Sequence, residues 1–324
     1  MSADETIWSD AVAAAELFAI DPIGTGGICV CAGAGPVRDR WLEMLRGLFP
    51  SSVAFRKLPP AISESRLLGG IDLSATLQAG RPVIERGLLA EVSGGILLAV
   101  MAERLTASTV AHLNAALDFH ELVIERDGVS QRVASSFGVV AFDEGIDDEH
   151  APSSLCDRLA FHIDLRMVSR SDIADVTLEA GVIAAARTRL QQVVPGPEPI
   201  EALCHVAGQL GIESLRAPML AARVARAAAA LDGAGAVQSE HVELAARLVL
   251  APRATALPAA ESEAEQPSEQ EPEQAEDERH EDTALDDVVL EAARAAIPPD
   301  LLKRLQEGAL GRPRGTSAGK QGTS

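Results

Sequence analysis

Apolar residues change their spacing along this chain, and each change marks a different kind of structure. Over residues 5–19, Ile7, Val12, Ala15 and Phe18 recur at helical spacing, and Asp21-Pro22 ends that helix. Residues 26–48 read as a short apolar strand (28–32), a small-residue loop (33–36) and a helix (37–48). That helix carries Val37, Trp41, Leu42, Leu45 and Leu48 on one face. After Gly94-Gly95, residues 96–101 form a continuous apolar run, the pattern of a strand buried on both faces of a parallel sheet. Thr106 caps a helix reaching Leu117. Segments 121–126 and 131–133 form a hairpin across Asp127-Gly128, and 137–142 is another buried strand. An acidic loop (143–154), a short helix (155–161) and a final strand (162–165) follow. This alternation predicts an α/β domain with a mainly parallel sheet over residues 1–168.

From Ser171 the pattern is helical only. Helices are expected at 172–193 (capped by Ser171), 200–210, 214–231 and 240–250 (capped by Ser239), a small all-α domain over 169–254. Residues 255–300 are read as a disordered acidic linker, because Pro, Glu and Gln offer too little apolar surface to offset ordering entropy. Short helical stretches are expected at 286–296 and 299–306, and 301–324 as a flexible tail.

Charge sharpens this division. The net charge is −20, and residues 261–287 alone hold thirteen acids against one base, Arg279. Neither part has the basic footprint of a nucleic-acid binder. No apolar run reaches membrane-spanning length, and MSADETIWSD lacks a basic leader start. Cys29, Cys31, Cys156 and Cys204 are widely spread, as reduced core thiols of a cytoplasmic protein are. Cys29 and Cys31 share one strand face, a poor geometry for a disulfide or a tetrahedral zinc.

The candidate chemistry begins at Gly33-Ala34-Gly35. A strand, a glycine loop and a helix N-terminus hold phosphate in P-loop proteins. The motif then needs Lys and Ser/Thr, and Pro36, Val37 and Arg38 stand there instead. A plain strand–turn–helix is the competing reading. Arg38 and Arg40 in the first turn oppose the helix dipole and read as surface or interface residues. Asp72-Leu73-Ser74-Ala75-Thr76 has the outline of a metal motif, but Asp72 reads as a helix cap. His112, His120, His162, His205 and His241 show no ligand spacing.

The words LLGGIDL, ERGLLAE, GGILL and VIERDGVS and the element Leu155-Cys156-Asp157-Arg158 stand in one order. In that order they resemble the AAA+ subunits of magnesium chelatase. Aligned on GGIL, the Asp-Glu pair that places Mg²⁺ and water in the active subunit falls on Val100 and Met101, and the polar sensor after strand 137–142 is missing. Three nucleotide elements are absent together, which resembles the D-subunit family: a degenerate AAA+ domain, an acidic linker and a C-terminal von Willebrand-type domain. No counterpart of that last domain follows, so the chain is read as an N-terminal fragment or a truncated form.

The resemblance implies a non-hydrolysing scaffold supporting ATP-dependent insertion of Mg²⁺ into protoporphyrin IX. The ATP and Mg²⁺ would be used by the partner AAA+ ATPase subunit in a ring, alongside a porphyrin-binding large subunit. It makes Arg158 an arginine finger acting in trans; the competing reading is a salt bridge to Asp157 or Glu149. It makes Gly33, Gly35 and Arg216 a vestigial nucleotide site, with a solvated helix face the alternative for Arg216. The competing functions are a scaffold in another AAA+/von Willebrand chaperone pair and an active ATPase with an atypical site.

Overall fold

Among the described residues there are nine strands: β1 (Gly27–Cys31), β2 (Phe55–Leu58), β3 (Gly69–Ile71), β4 (Ile84–Arg86), β5 (Ile96–Ala99), β6 (Glu121–Arg126), β7 (Val129–Ala134), β8 (Gly138–Asp143) and β9 (Phe161–Asp164). Five of them form a parallel sheet in the order β2-β5-β8-β1-β9. The pairs β3–β4 and β6–β7 are separate antiparallel hairpins. The computed structural model describes residues 3–71, 73–80, 83–126, 129–173, 179–257 and 277–310.

Alternate residues of the central strands enter two different cores. Ile28, Val30, Val140 and Phe142 face one, and Cys29, Leu97, Val139 and Ala141 face the other. Burial on both faces is why these strands are apolar runs rather than alternating ones. Helices α1 (Ala3–Ile20) and α2 (Pro36–Gly47) contribute to the first core. There Trp41 is fully buried, donates Nε1–H to Ala11 O at 2.9 Å and meets Phe142 edge-on. The second core is covered by the short helices α3 (Glu64–Leu68) and α5 (Leu88–Glu91), by α6 (Ala107–Phe119) and by α7 (Ser153–Cys156). The short α4 (Leu73–Ala79) lies between the β3–β4 strands in sequence. Thr106 caps α6 as expected, its side chain accepting from Thr109 N at 3.2 Å.

The helical region comprises α8 (Ala180–Leu190), α9 (Pro197–Gln209), α10 (Arg216–Asp232) and α11 (Ser239–Ala245). A widened turn, 246–250, follows α11 and precedes Pro252. Proline lacks an N–H and crowds the carbonyl four residues back, so the helix opens just before it. The alanines of α10 (Ala217, Ala221, Ala225, Ala228) are buried and let its neighbours approach closely. Arg187 of α8 ties this region to the first domain, donating to Ala19 O at 2.7 Å and lying over the Phe49 ring.

Several expected elements differ. The helix expected over 155–161 stops at Cys156; Asp157 caps it, and the chain turns so that Phe161 can pair with Ile28. Instead of a helix from 172, Ser169 and Asp172 close a capping box around one 3₁₀ turn, and α8 begins at Ala180. Gln238, not Ser239, caps α11. Within the linker expected over 255–300, the helix expected at 286–296 is the longer α12 (Asp277–Ala295), whose Val289 and Ala293 are buried against the helical region. The helix expected at 299–306 is α13 (Pro299–Leu310), so the tail expected from 301 starts within it. The acidic residues 258–276, the end 311–324, Asp72 and the turn Asp127-Gly128 lie outside the described residues.

Candidate functional site

Two constellations lie at opposite edges of the central sheet. The first surrounds the loop after β1. A Cβ added at Gly33 or Gly35 would meet nothing within 4 Å, so the surrounding chain does not demand glycine at either position. Pro36 opens α2 and brings no N–H to its N-terminus. Arg38 folds back over the Phe142 ring, 5.1 Å from its centroid, and pairs with Glu144 at 2.8 Å. Glu144 N in turn donates to Glu103 Oε2 at 3.0 Å, and the Glu103 side chain is only 2% exposed. Asp143, at the sensor end of β8, accepts from Gly145 N and Ala151 N and so closes the loop that follows it. Val100 and Met101 leave β5 without a carboxylate.

Glu103, Asp143 and Glu144 are therefore each engaged with Arg38 or a backbone N–H, and no lysine or hydroxyl stands at positions 36 and 37. These residues do not fit a Mg²⁺-nucleotide. A cavity of about 320 Å³ beside the α2 start is lined by Pro36, Arg40, Arg170 and Ile173.

The second constellation lies where β9 begins. Arg158 sits in the turn before β9, beside the start of β1: a Cβ at Gly26 would fall 2.1 Å from Arg158 O. Its guanidinium grips Asp118, with Nε to Oδ1 at 3.0 Å and Nη2 to Oδ2 at 2.5 Å, and Nη1 donates to Ser154 O at 2.7 Å. Arg216, in the first turn of α10, reaches the same carboxylate at 2.9 Å and Asp157 at 3.4 Å. Ser214 donates to the other oxygen of Asp157 at 2.5 Å. Burial alone raises the Asp118 pKa, but hydrogen bonds and charge from Arg158 and Arg216 outweigh it and hold the carboxyl below its ordinary value.

Behind the turn, Arg253 is half-buried. It donates to Ala160 O at 2.9 Å, to Val249 O at 2.6 Å and to Leu159 O, and lies 3.1 Å from His162 Nε2. Burial pulls its pKa down to about 10. Burial and then the Arg253 charge pull His162 down to about 3, so its ring is neutral.

The structure brings Arg158 and Arg216 together and separates both from Gly33 and Gly35. β1, five residues long, lies between the two constellations, roughly 16 Å of extended chain. Arg216 therefore does not lie beside the glycine loop, where the resemblance had placed it. Nor does Arg158 pair with Asp157 or Glu149; Glu149 pairs with Arg104 instead. Asp118 and Ser214 were not singled out by sequence reasoning, because neither belongs to a motif. Among the described residues, Asp232, Glu240 and His241 gather their ligand atoms within 4.8 Å. There His241 Nδ1 accepts from Gln238 N at 3.0 Å, leaving Nε2 to carry the proton toward Asp232 at 3.1 Å. That tautomer caps α11 and offers no lone pair to a metal.

A parallel sheet in this order, joined to an α-helical lid, is the architecture of an AAA+ protein. Residues 200–275 match the AAA lid domain. A crystal structure of a candidate ATPase from Cytophaga hutchinsonii superposes with a TM-score of 0.56 at 16% identity, covering 87% of this chain and 94% of that one.

Within that class, the chain is homologous to the larger subunits of magnesium chelatase. It is 40% identical over 93% of its length to the magnesium-chelatase 60 kDa subunit of Cereibacter sphaeroides, covering 52% of that protein. It is 38% identical over 90% of its length to the 60 kDa subunit of Rhodobacter capsulatus, covering 50% of it. The 38 kDa subunit of Rhodobacter capsulatus matches at 26% identity over 73% of this chain and 83% of its own length. The chain spans about half the length of the 60 kDa relatives.

Proposed function

We propose that this chain is the AAA+ portion of a magnesium-chelatase scaffold subunit. It binds an AAA+ ATPase subunit of the 38 kDa kind and supports that partner's ATP turnover. The complex then uses ATP and Mg²⁺ to insert Mg²⁺ into protoporphyrin IX held by a porphyrin-binding large subunit. The observation that carries this reading is an asymmetry. The glycine-loop edge has lost its lysine, hydroxyl and paired acids, and Arg38 is folded onto Glu144. The opposite edge retains two arginines from different parts of the fold, braced by Asp118. A subunit without its own hydrolytic site has use for arginines that stabilise phosphoryl charge in a neighbour's site.

Arg158 donates that charge in this reading, and Arg216, beside it rather than over Gly33 and Gly35, serves the same neighbour. The test is reconstitution with the 38 kDa ATPase subunit. The chain is expected to co-elute with the ATPase on size exclusion and to change its steady-state ATP turnover. Separate elution across ATP concentrations, with turnover unchanged, would refute the reading.

A further inference from the structure

Cys29 and Cys156, separated by 127 residues in sequence, place their sulfurs 3.8 Å apart between the sheet and α7. Cys29, on the central strand β1, is buried, whereas Cys156, at the end of α7, is half-buried and nearer solvent. Cys156 is two residues before Arg158, so whatever fixes its sulfur fixes that turn.

The environment treats the two thiols differently. The half-buried Arg253 guanidinium donates to three carbonyls and lies against His162, and none of these partners is a carboxylate. Its charge acts on Cys156 and on Asp157. The hydrogen bond with Cys29 and then the charge of Arg253 hold Cys156 below the usual thiol value, against burial and Asp143. The same hydrogen bond, Cys31 and burial push Cys29 up. A half-buried cysteine under the charge of a guanidinium, backed by a buried thiol, is the arrangement of an attacking cysteine and its resolving partner.

We propose that Cys156 and Cys29 form a reversible dithiol–disulfide site, with Cys156 attacking a peroxide and Cys29 resolving the product. The Cys156 thiolate attacks one peroxide oxygen and the O–O bond breaks. Hydroxide leaves and is protonated to water, and Cys156 becomes a sulfenic acid. The Cys29 sulfur then attacks the Cys156 sulfur, the S–O bond breaks, and a second water departs with the Cys29 proton. Two thiols lose two electrons and one peroxide becomes two waters. Closure brings the sulfurs from 3.8 Å to about 2.05 Å and pins the Asp157–Arg158 turn to β1. Dithiothreitol reverses it.

The experiment uses the full chain with Cys204→Ser, which removes the exposed thiol of α9. The protein is treated with hydrogen peroxide, alkylated and mapped by peptide mass. The expected result is a Cys29–Cys156 linked peptide that dithiothreitol removes, with Cys31 still alkylated. Cys29→Ser should instead accumulate a dimedone-reactive sulfenic acid at Cys156, and Cys156→Ser should leave Cys29 unoxidised. Native folding of each variant is checked by circular dichroism, and the linked peptide from the parent chain decides the matter if a variant fails to fold. A link through Cys31 in the Cys204→Ser chain, or oxidation of Cys156 no faster than that of Cys204 in the wild-type chain, would overturn the proposal.

Discussion

Arg158 of the core and Arg216 of the lid close on one carboxylate, that of Asp118, at 2.5 and 2.9 Å. Asp118 is the penultimate residue of α6, the helix that descends from the far edge of the sheet after β5. It braces a cation from each part of the fold and so fixes the lid against the turn that carries Arg158. Ser214, Asp157 and Arg253 add further bonds across the same boundary.

Asp118→Asn should weaken this brace. Loss of the charge-assisted bonds is expected to cost about 1–3 kcal/mol, read as a lower urea midpoint at pH 7. The carboxyl is depressed in the folded state. Its contribution is therefore present above the unfolded value near 4 and lost as pH falls through the lower folded one. The wild-type minus variant difference should shrink below about pH 4; a difference constant down to pH 2 would count against it.

Gly26→Ala should displace the Arg158 turn. Gly26 has φ 73, a left-handed conformation that side chains resist, and an added Cβ would press on Arg158 O. The expected outcome is a lower melting temperature together with faster hydrogen exchange at residues 158–160. Unchanged exchange there would show that the turn is held independently of Gly26.

His162 makes stability depend on pH in the mildly acidic range. The unfolded chain binds a proton there below about pH 6.5, while the folded ring does so only near pH 3. The unfolded state thus holds more protons between those values. The stabilisation is complete above about 6.5 and is lost as pH falls toward 3. Urea unfolding at pH 7, 6, 5 and 4 should show this decline, and His162→Gln should flatten it. Equal slopes in both proteins would place the titration elsewhere.

The chain alone should not turn over ATP. Val100 and Met101 provide no ligand for Mg²⁺ and no positioning of water, and Pro36 and Val37 replace the lysine and hydroxyl of a working loop. Turnover above background in a sample freed of contaminating ATPases would contradict this.

Much of the architecture was legible because burial on both faces writes continuous apolar runs, as in β5 and β8. The Thr106 cap and the degenerate loop were legible because their chemistry is local. Asp118 was not: it lies 40 residues before Arg158, and a solvated acid at a helix end looks the same in sequence. The position of Arg216 was hidden for a related reason, since chain order does not say over which sheet edge a lid folds. The α12 helix was partly concealed by acidic neighbours, although its Val289 and Ala293, and Ile297 just beyond its end, repeat at intervals of four and are all buried.

The most direct test of the trans-acting arginine is ATP turnover by the ATPase subunit assembled with wild-type or Arg158→Ala chain, with assembly verified by size exclusion. An arginine finger contributes roughly 10³–10⁵ in rate at the site it serves, so sites facing the variant should fall nearly silent while the complex stays intact. Arg158→Lys should rescue little, because a point charge does not replace the planar fork. Wild-type turnover in a fully assembled Arg158→Ala complex would show instead that Arg158 serves only its ion pair with Asp118.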